Sequence, residues 1–157
     1  MEELRVRLGY TLVETLLVTA VYILLAGFAV VNFLTLQHRT TLTSVVDTFL
    51  SDAASQKIRA ASGDGGGSSF GVYIGGDRYV LFQGDVYDNT KANNEGYPLP
   101  KVITLITSFP SSQLVFTKGS GDITGFVQGS DTITFTHSGT GEVKEIQLNS
   151  LGVITKY

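Results

Sequence analysis

The chain has 157 residues and a net charge of −3 at neutral pH, a length that suits one domain of modest size beside a membrane segment. It lacks the excess of Lys and Arg that marks nucleic-acid-binding domains, so we expect no nucleic acid among its partners. The absence of cysteine excludes disulfides, thiolate metal sites and a lipoprotein anchor.

The N-terminal part of the chain contains a long run without charge. Residues 15–37 include no Asp, Glu, Lys, Arg or His. A helix over residues 15–36 would extend about 33 Å, which matches the hydrocarbon thickness of a bilayer. The sequence therefore predicts a single transmembrane helix. A cleaved secretory signal is the competing interpretation, but its apolar core is only about 7 to 15 residues long.

A short polar leader, residues 1–9, ends in Gly9 where the apolar run begins. Tyr10 follows, and residues 11–18 read Thr-Leu-Val-Glu-Thr-Leu-Leu-Val. This junction resembles the cleavage and methylation segment of the type IV pilin and type II secretion pseudopilin superfamily. The resemblance implies that a prepilin peptidase cuts between Gly9 and Tyr10, that Tyr10 becomes N-methylated, and that Glu14 acts in assembly with other pilin or pseudopilin subunits.

The leader and the span depart from that family in three ways. Glu2 and Glu3 offset Arg5 and Arg7 in a leader that is usually basic, Tyr10 replaces the commoner Phe, and the span lacks a central proline. The arginines should still hold the leader inside, because acidic residues contribute little to the positive-inside bias. The resemblance implies a single-pass protein of the cytoplasmic (inner) membrane, in contact with lipid, whose C-terminal domain lies outside and later joins an extracytoplasmic filament.

Glu14 allows two hypotheses, because a carboxylate near the start of a membrane helix is costly without a partner. In the first, Thr11 at the N-cap and Glu14 three residues later form a capping box. In the second, which we favour, Glu14 of one subunit neutralises the amine that cleavage creates at Tyr10 of a neighbour.

The segment after the span has the pattern of an amphipathic helix. No glycine or proline interrupts residues 28–61, so we predict one helix from about residue 11 to residue 61, with a membrane and assembly half over residues 10–37 and a packing half over residues 38–61. The apolar positions of the second half are Leu42, Val45, Val46, Phe49, Leu50, Ala53, Ala54, Ile58 and Ala61. The glycine-rich residues 63–69 predict a flexible turn, since a phosphate loop would need a following lysine.

Residues 62–157 predict an antiparallel β domain. Short strand-forming runs alternate with Gly, Asn, Asp and Ser turns, and the predicted strands are residues 70–74, 78–83, 102–107, 113–117, 132–136, 143–148 and 153–156. The first two should form a hairpin, and the apolar stripe of the helix should cover the buried face of the sheet. The predicted fold is α+β and pilin-like. The closing meander, residues 114–157, resembles minor pseudopilins of the H type in strand spacing alone.

Few residues suggest further chemistry. We expect His38 and His137 at the surface and joined in no metal site. Residues 85–95 hold enough oxygen ligands to raise the question of calcium, but they lack the EF-hand order, so a solvated loop is preferred. No nucleophile and base arrangement is recognisable, so we expect neither enzymatic activity nor a cofactor.

The predicted function is that of a structural subunit, with a minor one favoured, of a type IV pilus or type II secretion-type filament. Major and minor subunits, and pilus and secretion systems, stay open alternatives. The competing hypothesis is an unpolymerised single-pass membrane protein whose exposed β domain binds a ligand.

Overall fold

The computed structural model describes residues 11–156, with the backbone alone over residues 30–40. The chain divides into two compact units, Met1–Arg39 and Thr40–Tyr157. Helix α1, Leu12–Ser62, begins in the first unit and ends in the second, which confirms the predicted continuous helix. The described elements that follow are α2 (Asp64–Gly67), β1 (Phe70–Gly75), β2 (Arg78–Gln83), β3 (Glu95–Pro98), β4 (Ile103–Thr107), a 3-10 turn (Pro110–Ser112), β5 (Gln113–Phe116), β6 (Thr132–His137), β7 (Val143–Leu148) and β8 (Ile154–Lys156).

The second half of α1 buries a narrower stripe than the sequence predicts. The buried side chains recur at intervals of four and three residues, and they are Leu42, Val46, Phe49, Ala53, Gln56 and Ala60. Ile58 belongs to the predicted stripe but is 66% exposed, and Ala54 and Ala61 are exposed too. At about 100° per residue, Ile58 lies on the opposite side of the helix from Gln56 and Ala60. That part of the predicted stripe was wrong.

Helix α1 ends where the main chain enters the left-handed region. Gly63 has φ 74°, a conformation that side chains with a Cβ rarely adopt. The carbonyl oxygen of Ala60 accepts a hydrogen bond from the amide of Gly119 at 2.8 Å, so the loop after β5 satisfies one of the last helical carbonyls. The predicted flexible turn begins with α2, a left-handed turn of four residues rather than an irregular loop.

The strands form two antiparallel sheets, not the single sheet that we predicted. Sheet A has the order β3-β2-β1-β5, and sheet B has the order β4-β6-β7-β8. The predicted hairpin is confirmed, because β1 and β2 pair from Phe70 and Gln83 to Gly75 and Arg78. The α+β class is confirmed as well.

Two strands account for the difference from the predicted sheet. Strand β5 pairs with β1 in sheet A, so the closing meander contains β6, β7 and β8 without residues 114–116. Strand β3 was missed because Glu95–Pro98 contains Glu, Gly and Pro, which are rare in strands. All four of its residues are exposed at the edge of sheet A, where no apolar alternation is needed.

Phe49 of α1 joins the two sheets within the core of the second unit. Its ring lies 5.2 Å from the ring of Tyr79 on β2 and 5.4 Å from the ring of Phe135 on β6, both in edge-to-face geometry. The same core cluster contains Leu81 of sheet A and Ile146 of sheet B. Helix α1 therefore packs against both sheets, and the apolar faces of all three share one core.

Candidate functional site

The first described turns of α1 form an exposed apolar surface. Over the eighteen residues Leu12–Ala29 no side chain is buried, and the segment is long and apolar enough to cross a membrane. Its length as a helix is about 27 Å, close to the hydrocarbon thickness of a bilayer. A soluble core helix would be mostly buried, which this segment is not. A signal sequence near the N-terminus would meet the same criteria of length and composition.

The two threonine hydroxyls in this segment are satisfied within the helix itself. Thr15 Oγ1 donates to the carbonyl oxygen of Leu12 at 2.9 Å, and Thr19 Oγ1 donates to the carbonyl oxygen of Thr15 at 2.7 Å. Hydroxyls bonded in this way need no water, so they can enter an apolar environment without leaving a polar group unsatisfied. The side chains of Thr15 and Thr19 are therefore compatible with an apolar environment.

The start of α1 shows the first half of a capping box. Thr11 Oγ1 accepts a hydrogen bond from the main-chain amide of Glu14 at 3.3 Å, as the capping hypothesis expects of the N-cap residue. This bond uses the main chain of Glu14, so it does not account for the carboxylate, which is exposed in the first turn. The capping bond from Thr11 and a pairing of the Glu14 carboxylate with an amine of another subunit are therefore compatible. Gly9 and Tyr10, the residues of the expected cleavage, lie outside the described residues.

His137 is buried, which corrects the prediction of a surface position. It ends β6 as expected, but its side chain has no solvent exposure. Its Nδ1 atom accepts hydrogen bonds from the amides of Gly139 and Thr140 at 3.2 and 3.1 Å, so the ring closes the turn between β6 and β7. The imidazole is buried because it accepts hydrogen bonds from the main chain of this turn. The periodicity of the sequence does not reveal such a bond. The side chain of His38 lies outside the described ones.

The oxygen-rich residues 85–95 form a loop that is mostly exposed and ends in β3. The Asp88 carboxylate accepts hydrogen bonds from the amide and the hydroxyl of Thr90, which lower the pKa of Asp88. Among the residues that the structure describes, no group of three or more His, Asp or Glu side chains is placed to hold a metal ion. The carboxylate of Asp88 therefore has a role in the turn.

Sequence reasoning missed a partly buried polar contact between α1 and sheet A. The hydroxyl of Tyr79 donates to the Asp52 carboxylate at 2.5 Å, and the ring of Tyr79 stacks on that of Tyr97 at 5.2 Å. Burial, followed by the hydrogen bond to Asp52, raises the pKa of Tyr79 well above its ordinary value. A single Asp beside the apolar stripe was the only signal in the sequence.

A second missed feature is a polar residue inside the buried stripe of α1. Gln56 is 2% exposed, although its neighbours in the stripe are apolar. It lines a cleft of about 250 Å³ between α1, sheet A and the loop after β2. The regular spacing of four and three residues from Leu42 to Ala60 could have placed Gln56 on the buried side.

Comparison of the chain with models of protein families, with curated proteins and with solved structures found no match. Function must therefore be inferred from the chemistry of the chain itself. One of its features calls for a partner: the exposed apolar surface of Leu12–Ala29, with Glu14 near its start.

Proposed function

We propose that this protein is a structural subunit, a minor pilin or pseudopilin, of a type IV pilus or type II secretion-type filament. The observation that carries the proposal is the exposed apolar surface of Leu12–Ala29, which has a carboxylate, Glu14, in its first turn. Such a surface is stable only when lipid or other apolar helices cover it. A subunit that is stored in a membrane and later polymerises through this helix meets both needs.

In the membrane stage, α1 spans the cytoplasmic membrane once, with the leader inside and residues 40–157 outside. Arg5 and Arg7 support this orientation through the positive-inside bias. The internal hydrogen bonds of Thr15 and Thr19 make the span compatible with hydrocarbon. The second unit has a core of its own, as a domain outside the membrane requires.

In the assembly stage, prepilin peptidase removes residues 1–9 and leaves a methylated amine at Tyr10. Glu14 of one subunit then pairs with this amine of a neighbouring subunit inside the apolar filament core. An unpaired charge there would carry a desolvation penalty on the order of several kcal/mol, enough to reduce incorporation by orders of magnitude. The chain acts as a building block in this proposal and not as an enzyme.

Processing is tested by measuring the mass of the full chain after co-expression with a prepilin peptidase. The expected product lacks residues 1–9 and carries one added methyl group. Gly9→Val should leave the precursor uncut, because a branched side chain obstructs the approach of the scissile bond to the enzyme. Cleavage of Gly9→Val at the normal rate would refute the site. An unaltered mass of the parent chain would instead favour an unpolymerised single-pass protein.

Assembly is tested by a pair of variants that separates pairing from capping. Glu14→Gln removes the charge but keeps the main-chain amide that Thr11 caps, whereas Thr11→Ala removes the capping oxygen and keeps the charge. Both should be cleaved normally. The pairing hypothesis predicts that only Glu14→Gln loses incorporation into filaments. Normal incorporation of Glu14→Gln, with loss in Thr11→Ala, would show that helix capping and not the charge matters.

A further inference from the structure

Two tyrosine rings are stacked on the face of sheet A that lies opposite the core. The side chains of Val72 and Ile74 on β1 belong to the core, so Tyr73 between them is on the other face. Its ring stacks on that of Tyr87, from the loop after β2, with ring centroids 4.2 Å apart and an interplanar angle of 11°. Both tyrosines are partly exposed, so a reagent in solution can reach the stack.

Two further contacts hold Tyr87 over Tyr73. The main-chain amide of Tyr87 donates to Gln113 Oε1 on β5 at 2.7 Å, and its ring lies 5.6 Å from that of Phe82 in edge-to-face geometry. Phe82 has room because its partner on β1, Gly71, has no Cβ, which would lie 2.6 Å from the phenylalanine ring. Sheet A therefore holds the two phenols together before any reaction, which favours a bond between them.

The composition of the chain makes tyrosine its main target for a one-electron oxidant. The chain has no cysteine and no tryptophan, and Met1 is its one methionine. Sulfur-containing side chains are the common sites of oxidation in other proteins, and here they do not compete outside Met1. A chain without cysteine also forms no disulfide, so a covalent link between separate parts of it must use other side chains.

We propose that Tyr73 and Tyr87 form an oxidative modification site, at which a dityrosine bond attaches the loop after β2 to β1. A one-electron oxidant of the haem peroxidase class removes one electron and the phenolic proton from each ring. The two tyrosyl radicals join through a carbon–carbon bond between their ortho carbons. Each of these carbons then releases its hydrogen as a proton, and each phenol oxygen regains one. The two electrons reduce hydrogen peroxide to water, so the chain loses two hydrogen atoms in all.

The stacked arrangement suits this bond. The bond forms from the p orbitals that stand perpendicular to each ring, so the two rings must meet face to face. Reacting atoms in a productive geometry lie about 3–3.5 Å apart, and Tyr87 stands in a loop that can close the small remaining distance. The link joins residues 73 and 87 and, like a disulfide, stabilises the fold by restricting the unfolded chain. This inference does not depend on filament assembly.

A second stacked pair, Tyr79 and Tyr97, provides an internal comparison. Its ring centroids are 5.2 Å apart, and the two residues are register partners on β2 and β3, so the strand pairing fixes their separation. Tyr79 is only 3% exposed, and its hydroxyl donates to Asp52. We therefore expect no dityrosine between Tyr79 and Tyr97.

The test treats the full chain in detergent micelles with a haem peroxidase and hydrogen peroxide, at a protein concentration low enough to limit links between chains. After digestion with trypsin, Tyr73 lies in residues 60–78 and Tyr87 in residues 79–91. The expected product joins these two peptides, weighs less than their sum by two hydrogen atoms and shows dityrosine fluorescence. A link from residues 79–91 to residues 92–101 in its place, links between chains only, or no dityrosine at all would overturn the proposal.

Matched variants locate the bond. Tyr87→Phe keeps a ring for the stack but removes the phenol, so it should lose the link between residues 60–78 and 79–91. Tyr97→Phe makes the same change in the other stacked pair and should keep that link. Each variant keeps its ring, so the packing of sheet A should be preserved in both. Persistence of the link in Tyr87→Phe, or its loss in Tyr97→Phe, would refute the assignment.

Discussion

Replacement of Phe49 by alanine should remove the contact that joins α1 to both sheets. The side chain is 1% exposed, and burial of a phenylalanine contributes about 2–3 kcal/mol. Its two edge-to-face contacts, with Tyr79 and Phe135, add about 0.5–1.5 kcal/mol each. The sum agrees with the loss of about 3–5 kcal/mol seen when a buried phenylalanine becomes alanine. We expect a decrease of about 4 kcal/mol in the free energy of unfolding, a large share of a typical total of about 5–15 kcal/mol.

Urea unfolding of the full chain in detergent micelles measures this change through tyrosine fluorescence, which is accessible because the chain has no tryptophan. Phe49→Leu keeps an apolar side chain but loses both ring contacts, so it should cost about 2 kcal/mol. Phe28→Ala is the control, because Phe28 is 66% exposed and should change the unfolding of the second unit by less than about 0.5 kcal/mol. A loss below about 1 kcal/mol for Phe49→Ala, or an equal loss for Phe28→Ala, would refute the role given to Phe49.

Three further predictions concern the second unit. The pKa of Tyr79 is raised, so the folded protein keeps a proton that the unfolded chain releases above about pH 10. The contribution of Tyr79 to the free energy of unfolding is therefore fully present below that pH and is lost as the pH rises above it. Tyr79→Phe should lessen this fall in the free energy of unfolding by up to about 1.4 kcal/mol per pH unit, as measured by urea unfolding between pH 9 and 11. Equal pH dependence in the variant and the parent chain would contradict the assignment. His137→Leu, which lacks an acceptor, should speed hydrogen exchange at the amides of Gly139 and Thr140 about tenfold relative to His137→Asn, whose Oδ1 can replace Nδ1. Similar rates in both variants would exclude this role. Residues 38–157 without the span should be soluble and rich in sheet with one helix, and a far-ultraviolet spectrum without sheet would disprove this.

Local features of this chain follow from the sequence. The bounds of α1 are readable because no glycine or proline interrupts residues 28–61, and Gly63 follows the last helical residue. The hairpin of β1 and β2 is readable because the pairing strands are neighbours joined by a short glycine turn. The apolar run after Glu14 likewise identifies a membrane-compatible helix. Helix hydrogen bonds and tight turns connect residues close in the chain, so their signals are local.

Tertiary structure alone decided how the strands divide between two sheets. The alternation of apolar and polar residues shows which side of a strand is buried, but it does not identify the strand's partner. Strand β5 pairs with β1, which lies about forty residues earlier in the chain. The same reason explains Gln56 and His137. Their burial depends on which residues α1 and the turn after β6 meet across the core, and those residues are distant in the sequence.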